Sequence, residues 1–384
     1  MAPSLIAHPD VRLVAAADPN GDARANCVRD FGARTHADAA DLLADPEIDA
    51  VYIATPHELH LQHGLLAFER GKHVLLEKPM AMSLADGQRL VDAAEAAGRV
   101  LVVGHSHGFD APFVDAARRI AAGEFGSVRM VTALNYTNWI YRPRRPEELA
   151  PGSAGVVLNQ ASHHVDIVRL LAGGRASAVR ASAGAWDLAR PALGAYSALL
   201  QFENGVFATL SYSGYDGFDA DEFNGWIGEL GRAKAGDRHG TSRRQWAVAS
   251  GGEVTPAARK AGVGYAGVHM TPRPDRVDLE TQWHAQFGLV IASCDRADLR
   301  ISARGIAVYD ADGVRSLSVA PTIGGGSRSG VFDELHGAVV HGRPPLHSGR
   351  WGLANLEVCL AMLESTRTRR EVELKHQVAV GARP

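Results

Sequence analysis

The first residues that could do chemistry follow a short apolar run. Residues 73–76 are predicted to form a buried parallel strand, and Glu77, Lys78 and Pro79 come directly after it. In an open α/β sheet, ligands bind beyond the carboxyl ends of the strands, so an acid and a base stand where a ligand would lie. A lysine there can donate a hydrogen bond to a hydroxyl group and stabilise the alkoxide that develops on it. Taken alone, the three residues fit an ordinary exposed Glu-Lys pair equally well.

A second candidate group lies on a predicted helix in the middle of the chain. Asn159 and His163 are four residues apart, so they share one face of a helix. His163 can act as a general base, with Asn159 as its neutral hydrogen-bonding partner. Asp166 could orient the imidazole of His163 or pair within its own helix, and the pattern leaves both open.

A basic run follows the strand predicted at residues 128–136. Arg142, Arg144 and Arg145 fall within six residues there. Because arginine binds carboxylates through two parallel hydrogen bonds, the run indicates an acidic substrate. A solvated loop is an equally good interpretation of the same residues.

The first third of the chain supplies elements that could position these groups. Strands are predicted at residues 11–17, 51–54, 73–76 and 99–103, and helices at 22–31 and 58–70, with a third that Ser83 caps and Gly98 ends. Strands that alternate with helices of this length are typical of βαβ units and a parallel sheet.

From about Gly126 the pattern changes to longer strands joined by hairpins. We predict strands at 128–136, 179–186, 196–202 and 206–212, a hairpin of 304–309 with 314–319, and two final helices at 331–340 and 351–367. Residues 216–270 are weakly periodic and are interpreted as an insertion or lid, and Gly324–Gly326 as a loop. We therefore predict an α/β domain at 1–108 and an α+β domain with a large, mostly antiparallel sheet at 109–384.

Three motifs in order resemble one oxidoreductase family. These are Ile48–Pro56 followed by His60, then Glu77-Lys78-Pro79, then the Gly155–Asp166 helix. They resemble the glucose–fructose oxidoreductase and inositol dehydrogenase family, Gfo/Idh/MocA, over essentially the whole chain. In that family the polar residue four before the histidine is often Asp, so Asn159 is a departure that puts an Asp-assisted base in doubt.

The resemblance implies a Rossmann-type domain that binds NAD. The implied cofactor-binding residues are Asp18, Thr55, Pro56, His60, Glu77, Lys78 and Pro79. An acid such as Asp18 accepts hydrogen bonds from ribose hydroxyls and favours NAD, while the nearby Arg24 leaves NADP open. The family's first strand and its Gly-x-Gly-x-x-Gly turn have no counterpart, so about 25 residues are expected to be missing from the start of this domain.

The resemblance also implies oxidation of a secondary alcohol by hydride transfer, with Lys78, His163 and Asn159 as catalytic residues. The stretches Phe332–Leu335, Arg343–Trp351 and Leu356–Leu360 resemble family members that convert phthalate cis-4,5-dihydrodiol to 4,5-dihydroxyphthalate. His163 and the three arginines would then bind this substrate. One alternative is a sugar or inositol dehydrogenase; another is a non-catalytic sensor that binds the dinucleotide without turnover.

The composition of the chain limits the kinds of partner that it is expected to bind. A net charge of −3 with 22% charged residues provides no basic surface for nucleic acid, and no apolar run is long enough for a membrane span. The three widely spaced cysteines and the absence of a signal peptide at the first residues predict a reducing cytoplasm. We expect no metal site, because His57, His60 and His63 turn progressively around their helix. A homo-oligomer, a dimer or a tetramer, is expected from the family.

Overall fold

A computed structural model describes residues 2–142, 144–249, 283–320 and 328–381. The chain folds into two compact units. Among the described residues, the first comprises 2–104 and 328–356, and the second comprises 105–249, 283–320 and 357–381. The boundary that we predicted at 108/109 stays a prediction; the first unit also takes in residues from near the end of the chain.

Short strands and helices alternate over the first 104 residues, as the sequence pattern predicts. The strands are β1 (Ala15–Ala17), β2 (Arg34–His36), β3 (Ala50–Ile53), β4 (His73–Leu76) and β5 (Leu101–Val103). The helices are α1 (Ala2–Ala7), α2 (Gly21–Phe31), α3 (Ala39–Leu43), α4 (His60–Glu69) and α5 (Leu84–Ala96).

Local sequence signals account for the ends of these helices. The Asn20 side chain accepts hydrogen bonds from the backbone N–H groups of Asp22 and Ala23 at the start of α2, and Gly32 ends that helix at a φ of 65°. Ser83 caps α5 by accepting from the Asp86 N–H at 3.1 Å. The Ser83 cap confirms the predicted start of α5, and α2 begins at Gly21, one residue before its predicted start.

The second unit is built on longer strands. They are β6 (Val128–Tyr136), β7 (Ala176–Gly184), β8 (Ala195–Phe202), β9 (Phe207–Ser213), β10 (Leu289–Cys294), β11 (Asp298–Ser302), β12 (Gly305–Asp310) and β13 (Gly313–Leu317). The α-helices are α6 (Ala111–Ala121), α7 (Pro146–Leu149), α8 (Gly155–Asn159), α9 (Ala161–Ala172) and α10 (Thr241–Ala249), with 3₁₀ turns at Ser106–Phe109, Trp139–Tyr141 and Ala220–Asn224.

Two helices and a short strand end the described chain: α11 (Ser329–His341), α12 (Gly349–Thr368) and β14 (Val372–Glu373). None of the helices within the described ranges is long and apolar enough to cross a membrane.

One nine-stranded sheet organises the second unit, in the order β13-β12-β11-β10-β6-β9-β8-β7-β14. All neighbours are antiparallel except β6 and β9 at the centre, which run parallel. The fully buried helix α9 packs on β6 and β9. This confirms the predicted large, mostly antiparallel sheet.

The first unit contains two separate parallel sheets, β1-β2 and β3-β4-β5. Residues of β1 and β3 both line an apolar cavity of about 400 Å³, together with Leu5 of α1 and Phe332 and Leu335 of α11. In the strand order common to Rossmann folds, 3-2-1-4-5-6, the first strand lies between these two neighbours. The gap between β1 and β3 therefore occupies the position of that strand.

Several predicted elements need correction. The predicted strand 11–17 is a strand only over β1. The single helix predicted to carry both Asn159 and His163 is divided at Gln160, whose φ of −110° separates α8 from α9. Residues 216–249 of the expected lid form a 3₁₀ turn, a β-bridge and α10. The rest of that segment and Gly324–Gly326 lie outside the described residues.

Candidate functional site

The Glu77-Lys78-Pro79 turn follows β4, as predicted, and a tyrosine from the neighbouring strand fixes it. Tyr52 of β3 donates a hydrogen bond from its hydroxyl to Glu77 Oε1 over 2.5 Å. The Lys78 N–H lies 3.3 Å from the other carboxylate oxygen of Glu77, and the Lys78–Pro79 peptide bond is cis. Burial and the Glu77 carboxylate hold the pKa of Tyr52 far above its ordinary value, so the tyrosine stays a donor. Lys78 is half-buried at this turn.

His60 contacts both turns that the sequence analysis assigned to the cofactor, the turn at Thr55-Pro56 and the turn at Glu77–Pro79. Its Nδ1 lies 3.0 Å from the Pro79 carbonyl oxygen and its Nε2 lies 3.1 Å from the Thr55 carbonyl oxygen. The side chain is fully buried, and burial lowers the pKa of His60 below its ordinary value. The imidazole is therefore neutral and donates through one nitrogen at a time. His60 would therefore influence a cofactor indirectly, by holding Thr55 and Pro79 in place.

The remaining cofactor candidates lie at strand ends of the same unit. Asp18 is exposed directly after β1, and its Oδ1 accepts from the Asn20 N–H at 2.8 Å. Arg24 donates to the carbonyl oxygens of Asp18 and Pro19 at 2.7 and 3.0 Å. Pro56 is exposed after β3. An exposed carboxylate at this strand end fits a ribose hydroxyl.

Asn159 and His163 occupy different helices rather than one face of a single helix. Asn159 ends α8, and its side-chain oxygen accepts from Trp139 Nε1 at 3.0 Å and from Gln160 Nε2 at 2.6 Å. His163 lies in the first turn of α9 and is buried. In the structure Asn159 ties α8 to the 3₁₀ turn at Trp139–Tyr141.

A buried histidine that we did not predict lies against His163. His107 Nδ1 is 2.8 Å from Asp110 Oδ2, and His107 Nε2 is 3.2 Å from Glu229 Oε1. The ring centroids of His107 and His163 are 4.8 Å apart in an edge-to-face arrangement. His107 lies four residues after the end of β5, in the 3₁₀ turn Ser106–Phe109, so a search of the segment after each strand could have found it. Its pairing with Glu229 crosses 122 residues and has no signal in the sequence.

The three arginines of the basic run have different surroundings. Arg142 donates from Nε to Asn138 Oδ1 at 2.7 Å, and its NH1 lies 3.4 Å from Glu229 Oε2. Burial opposes its charge, but the Glu229 carboxylate keeps the pKa of Arg142 above its ordinary value. The structure thus joins Arg142 through Glu229 to the His107–His163 pair.

The other two arginines face Glu148. Arg144 packs its guanidinium 4.3 Å from the centroid of the Trp139 ring and lies 3.7 Å from Glu148. Burial lowers the pKa of Arg144 from its ordinary value. Arg145 lies 3.8 Å from the same carboxylate. The Glu229 carboxylate also acts on the charge of Arg144, but Arg142 is the arginine whose hydrogen bond to Glu229 connects it to the histidine cluster.

The residues next to His163 on α9 serve the core. His164 is fully buried with Nδ1 2.8 Å from the Tyr196 hydroxyl, and burial followed by His107 lowers the pKa of His164 to about 3. Asp166 and Arg169 are both fully buried. Burial lowers the pKa of Arg169 to about 9, against the opposing effect of Asp166. Of the two interpretations left open for Asp166, this favours pairing within α9.

The comparisons with known proteins agree with this architecture. Residues 1–105 match a family model described as "Oxidoreductase family, NAD-binding Rossmann fold", and residues 113–233 match the "GFO/IDH/MocA C-terminal domain". A 1-carboxy-3-chloro-3,4-dihydroxycyclohexa-1,5-diene dehydrogenase of Comamonas testosteroni is 40% identical over 373 residues, which cover 95% of this chain and 91% of that protein.

Solved structures share the fold. The crystal structure of a proposed dehydrogenase from Bordetella bronchiseptica RB50 has a TM-score of 0.89 and 39% identity, and covers 97% of this chain and 95% of its own. An oxidoreductase from Agrobacterium radiobacter in complex with NAD⁺, L-tartaric acid and magnesium has a TM-score of 0.71 over 97% of this chain and 94% of its own. At 19% identity, the second shows the fold alone.

Proposed function

Because this chain belongs to the Gfo/Idh/MocA family of NAD-binding oxidoreductases, we propose that it is a dehydrogenase that oxidises a hydroxyl group of a carboxylated cyclohexadiene cis-diol. The near full-length relative from Comamonas testosteroni, whose name describes such a diol, supports this substrate class. The phthalate cis-4,5-dihydrodiol expected from the sequence is the substrate that we would test first.

One observation carries the proposal. Glu229 lies between Arg142 and His107, and the His107 ring lies 4.8 Å from that of His163. A group that can bind a carboxylate and a group that can accept a proton thus belong to one contiguous cluster. Arginine binds carboxylates with defined geometry, and neutral imidazole is a good proton acceptor near pH 7.

In the proposed reaction the substrate loses a hydride from carbon and a proton from its hydroxyl group. When bound, NAD supplies the hydride acceptor. Lys78 Nζ donates a hydrogen bond to the hydroxyl oxygen and stabilises negative charge on it, and the imidazole of His163 takes the proton. Asp18 binds the adenine ribose. The cyclic ketone then tautomerises to a catechol, so aromatisation draws the oxidation forward.

An absorbance assay tests this function. Carboxylated cis-dihydrodiols, a neutral cis-dihydrodiol, inositols and aldoses would each be offered with NAD and then with NADP, and NADH or NADPH formation followed. We expect turnover of the carboxylated diols with NAD. Turnover confined to polyols would favour the sugar or inositol alternative, and cofactor binding without any turnover would favour the non-catalytic sensor.

Replacement of Lys78 by Met tests the same chemistry by changing the protein instead of the substrate. Loss of the ammonium group should reduce turnover by ~10²–10⁴-fold while NAD affinity changes only a few-fold. Lys375→Met, which removes an exposed ammonium group, serves as the matched control. Turnover by Lys78→Met at the unaltered rate would remove Lys78 from the mechanism.

Assembly and location are part of the proposal. Leu199 of β8 and Phe207 of β9 are exposed on the open face of the sheet, which supports pairing with a second copy. Cys27, Cys294 and Cys359 form no disulfide bond with one another, which supports a reducing cytoplasm. Light scattering after gel filtration, with Phe207→Lys as the disruptive variant, tests the homo-oligomer; a monomeric parent protein would contradict it.

A further inference from the structure

His107 is held between two carboxylates. It is fully buried in the 3₁₀ turn Ser106–Phe109, with Asp110 Oδ2 at 2.8 Å from Nδ1 and Glu229 Oε1 at 3.2 Å from Nε2. Ionised carboxylates only accept hydrogen bonds, so both contacts are hydrogen bonds when both ring nitrogens carry hydrogen. The arrangement between two carboxylates selects the imidazolium form of His107.

This cation would lie directly against the proposed proton acceptor. The edge-to-face contact with His163, 4.8 Å between ring centroids, is inside the range over which like charges disfavour one another. A positive His107 therefore keeps the neighbouring imidazole uncharged. The adjacent residue on α9 shows the same influence, because His107 contributes, after burial, to the lowered pKa of His164.

The other ionisable groups around the two rings in this unit do not supply the positive charge that we assign to His107. Within the described ranges they include Asp110, Glu229, Arg142, Asp166, His164, Tyr212 and His284, whose pKa burial lowers. Arg142 is paired with Glu229, and the carboxylate of Asp166 stabilises the buried positive charge of Arg169. His164, with a pKa of about 3, and Tyr212, whose pKa burial raises to about 12, are uncharged at neutral pH.

We propose that His107, held by Asp110 and Glu229, is a positioning residue that keeps His163 neutral and able to accept the substrate proton. The proposal rests on the function proposed above, in which His163 is that acceptor. His107 itself does not touch the substrate in this scheme. Its effect is electrostatic, and it sets the lower pH limit at which His163 can work.

The test is a titration of His163 by NMR in the protein without NAD or substrate. The His163 signal is identified by its loss in His163→Asn. In His107→Gln the pKa of His163 should rise by roughly one unit, because the cation is gone and the two carboxylates stay. In His107→Lys, which restores a positive charge, it should return toward the parent value. The exposed His341→Gln is the control and should leave the titration unchanged.

A second readout is the acid limb of kcat/KM against pH, which should move to higher pH by the same amount in His107→Gln. A His163 pKa that is equal in the parent, His107→Gln and His107→Lys proteins overturns the proposal, even if all three are active. A shift in the titration without any alcohol oxidation upholds the tuning and rejects the proposed function instead. If His107→Gln does not fold, the smaller His107→Asn is used for the same comparison.

Discussion

Tyr52 and Glu77 are joined across two adjacent parallel strands by a hydrogen bond of 2.5 Å from the tyrosine hydroxyl to the carboxylate. The bond fixes the first residue of the turn that carries Lys78. Tyr52 is largely buried, and its pKa lies far above the ordinary value because of burial and of Glu77, so the hydroxyl keeps its proton over the whole working pH range.

Replacement of Tyr52 by Phe removes this donor and leaves the ring in place. A hydrogen bond to a charged group is worth about 1.5–3 kcal/mol, and the free energy of unfolding should fall by that amount. A looser turn should also misplace Lys78 and lower kcat/KM by about ten- to a hundredfold. Urea unfolding and initial rates measure the two effects, with the exposed Tyr309→Phe as control. Reduced stability with unaltered kcat/KM would show that the bond supports only the fold.

The gap between β1 and β3 predicts weak cofactor binding by the 384-residue chain. The family's glycine-rich turn supplies backbone N–H groups to the pyrophosphate from the strand that would fill this gap. We expect NAD binding by calorimetry to be weak, so that turnover needs a high NAD concentration, and to strengthen when a segment of about 25 residues with a strand and a Gly-x-Gly-x-x-Gly turn is joined ahead of Met1. The same segment with its glycines changed to Val is the matched control. Micromolar binding by the 384-residue chain would contradict the prediction.

The sequence predicted the strands and turns whose formation depends on residues close together in the chain. The strand at 128–136 has its predicted bounds in β6, and Asn204-Gly205 forms the expected turn, with Gly205 at a φ of 82°. Strands β10 and β11 were not predicted. β10 pairs with the distant strand β6, where Leu289 lies opposite Leu134, β11 pairs in turn with β10, and neither carries a strong turn signal.

The same distinction holds at the candidate site. Lys78 follows the end of β4, as predicted. The apolar run before it indicates the strand, and in an open α/β sheet ligands bind beyond the carboxyl ends of the strands. The cluster around His107 depends on Glu229 from a distant loop, and no periodicity or motif connects them. Asn159 was expected to face His163, but a single residue, Gln160, interrupts the helical spacing on which that expectation relied.

His164 predicts how stability depends on pH. Its pKa is about 3 in the folded chain, against roughly 6.5 when unfolded, so between these values the unfolded chain binds a proton that the folded chain does not. The contribution of His164 to the free energy of unfolding is therefore full above pH 6.5. Below that value it falls by about 1.4 kcal/mol for each pH unit. The free energy of unfolding should fall by about 2 kcal/mol less between pH 7 and pH 5 in His164→Gln than in the parent. Urea unfolding at both values, with the exposed His341→Gln as control, measures this; equal losses in parent and His164→Gln would show that His164 titrates normally.

The arginine that the structure connects to the histidine cluster should select a carboxylated substrate. Arg142 donates from Nε to Asn138 and from NH1 to Glu229, so NH2 and the second hydrogen of NH1 are the donors that would bind a substrate carboxylate. A bidentate contact of this kind contributes roughly 1.5–3 kcal/mol, so Arg142→Ala should raise KM for a carboxylated cis-diol about tenfold or more and leave a neutral cis-diol nearly unaffected.

The neighbouring arginines provide internal comparisons for that experiment. Arg144 is largely buried against Trp139, so Arg144→Ala should lower the unfolding free energy more than it alters substrate preference. Arg145 makes a partly exposed ion pair worth ~0–1 kcal/mol, so Arg145→Ala should change KM little. Arg129→Ala, which removes an exposed ion pair with Asp295, is the matched surface control. If none of the three variants of the basic run loses affinity selectively for the carboxylated diol, the run is a solvated loop, and a sugar or inositol becomes the better substrate class.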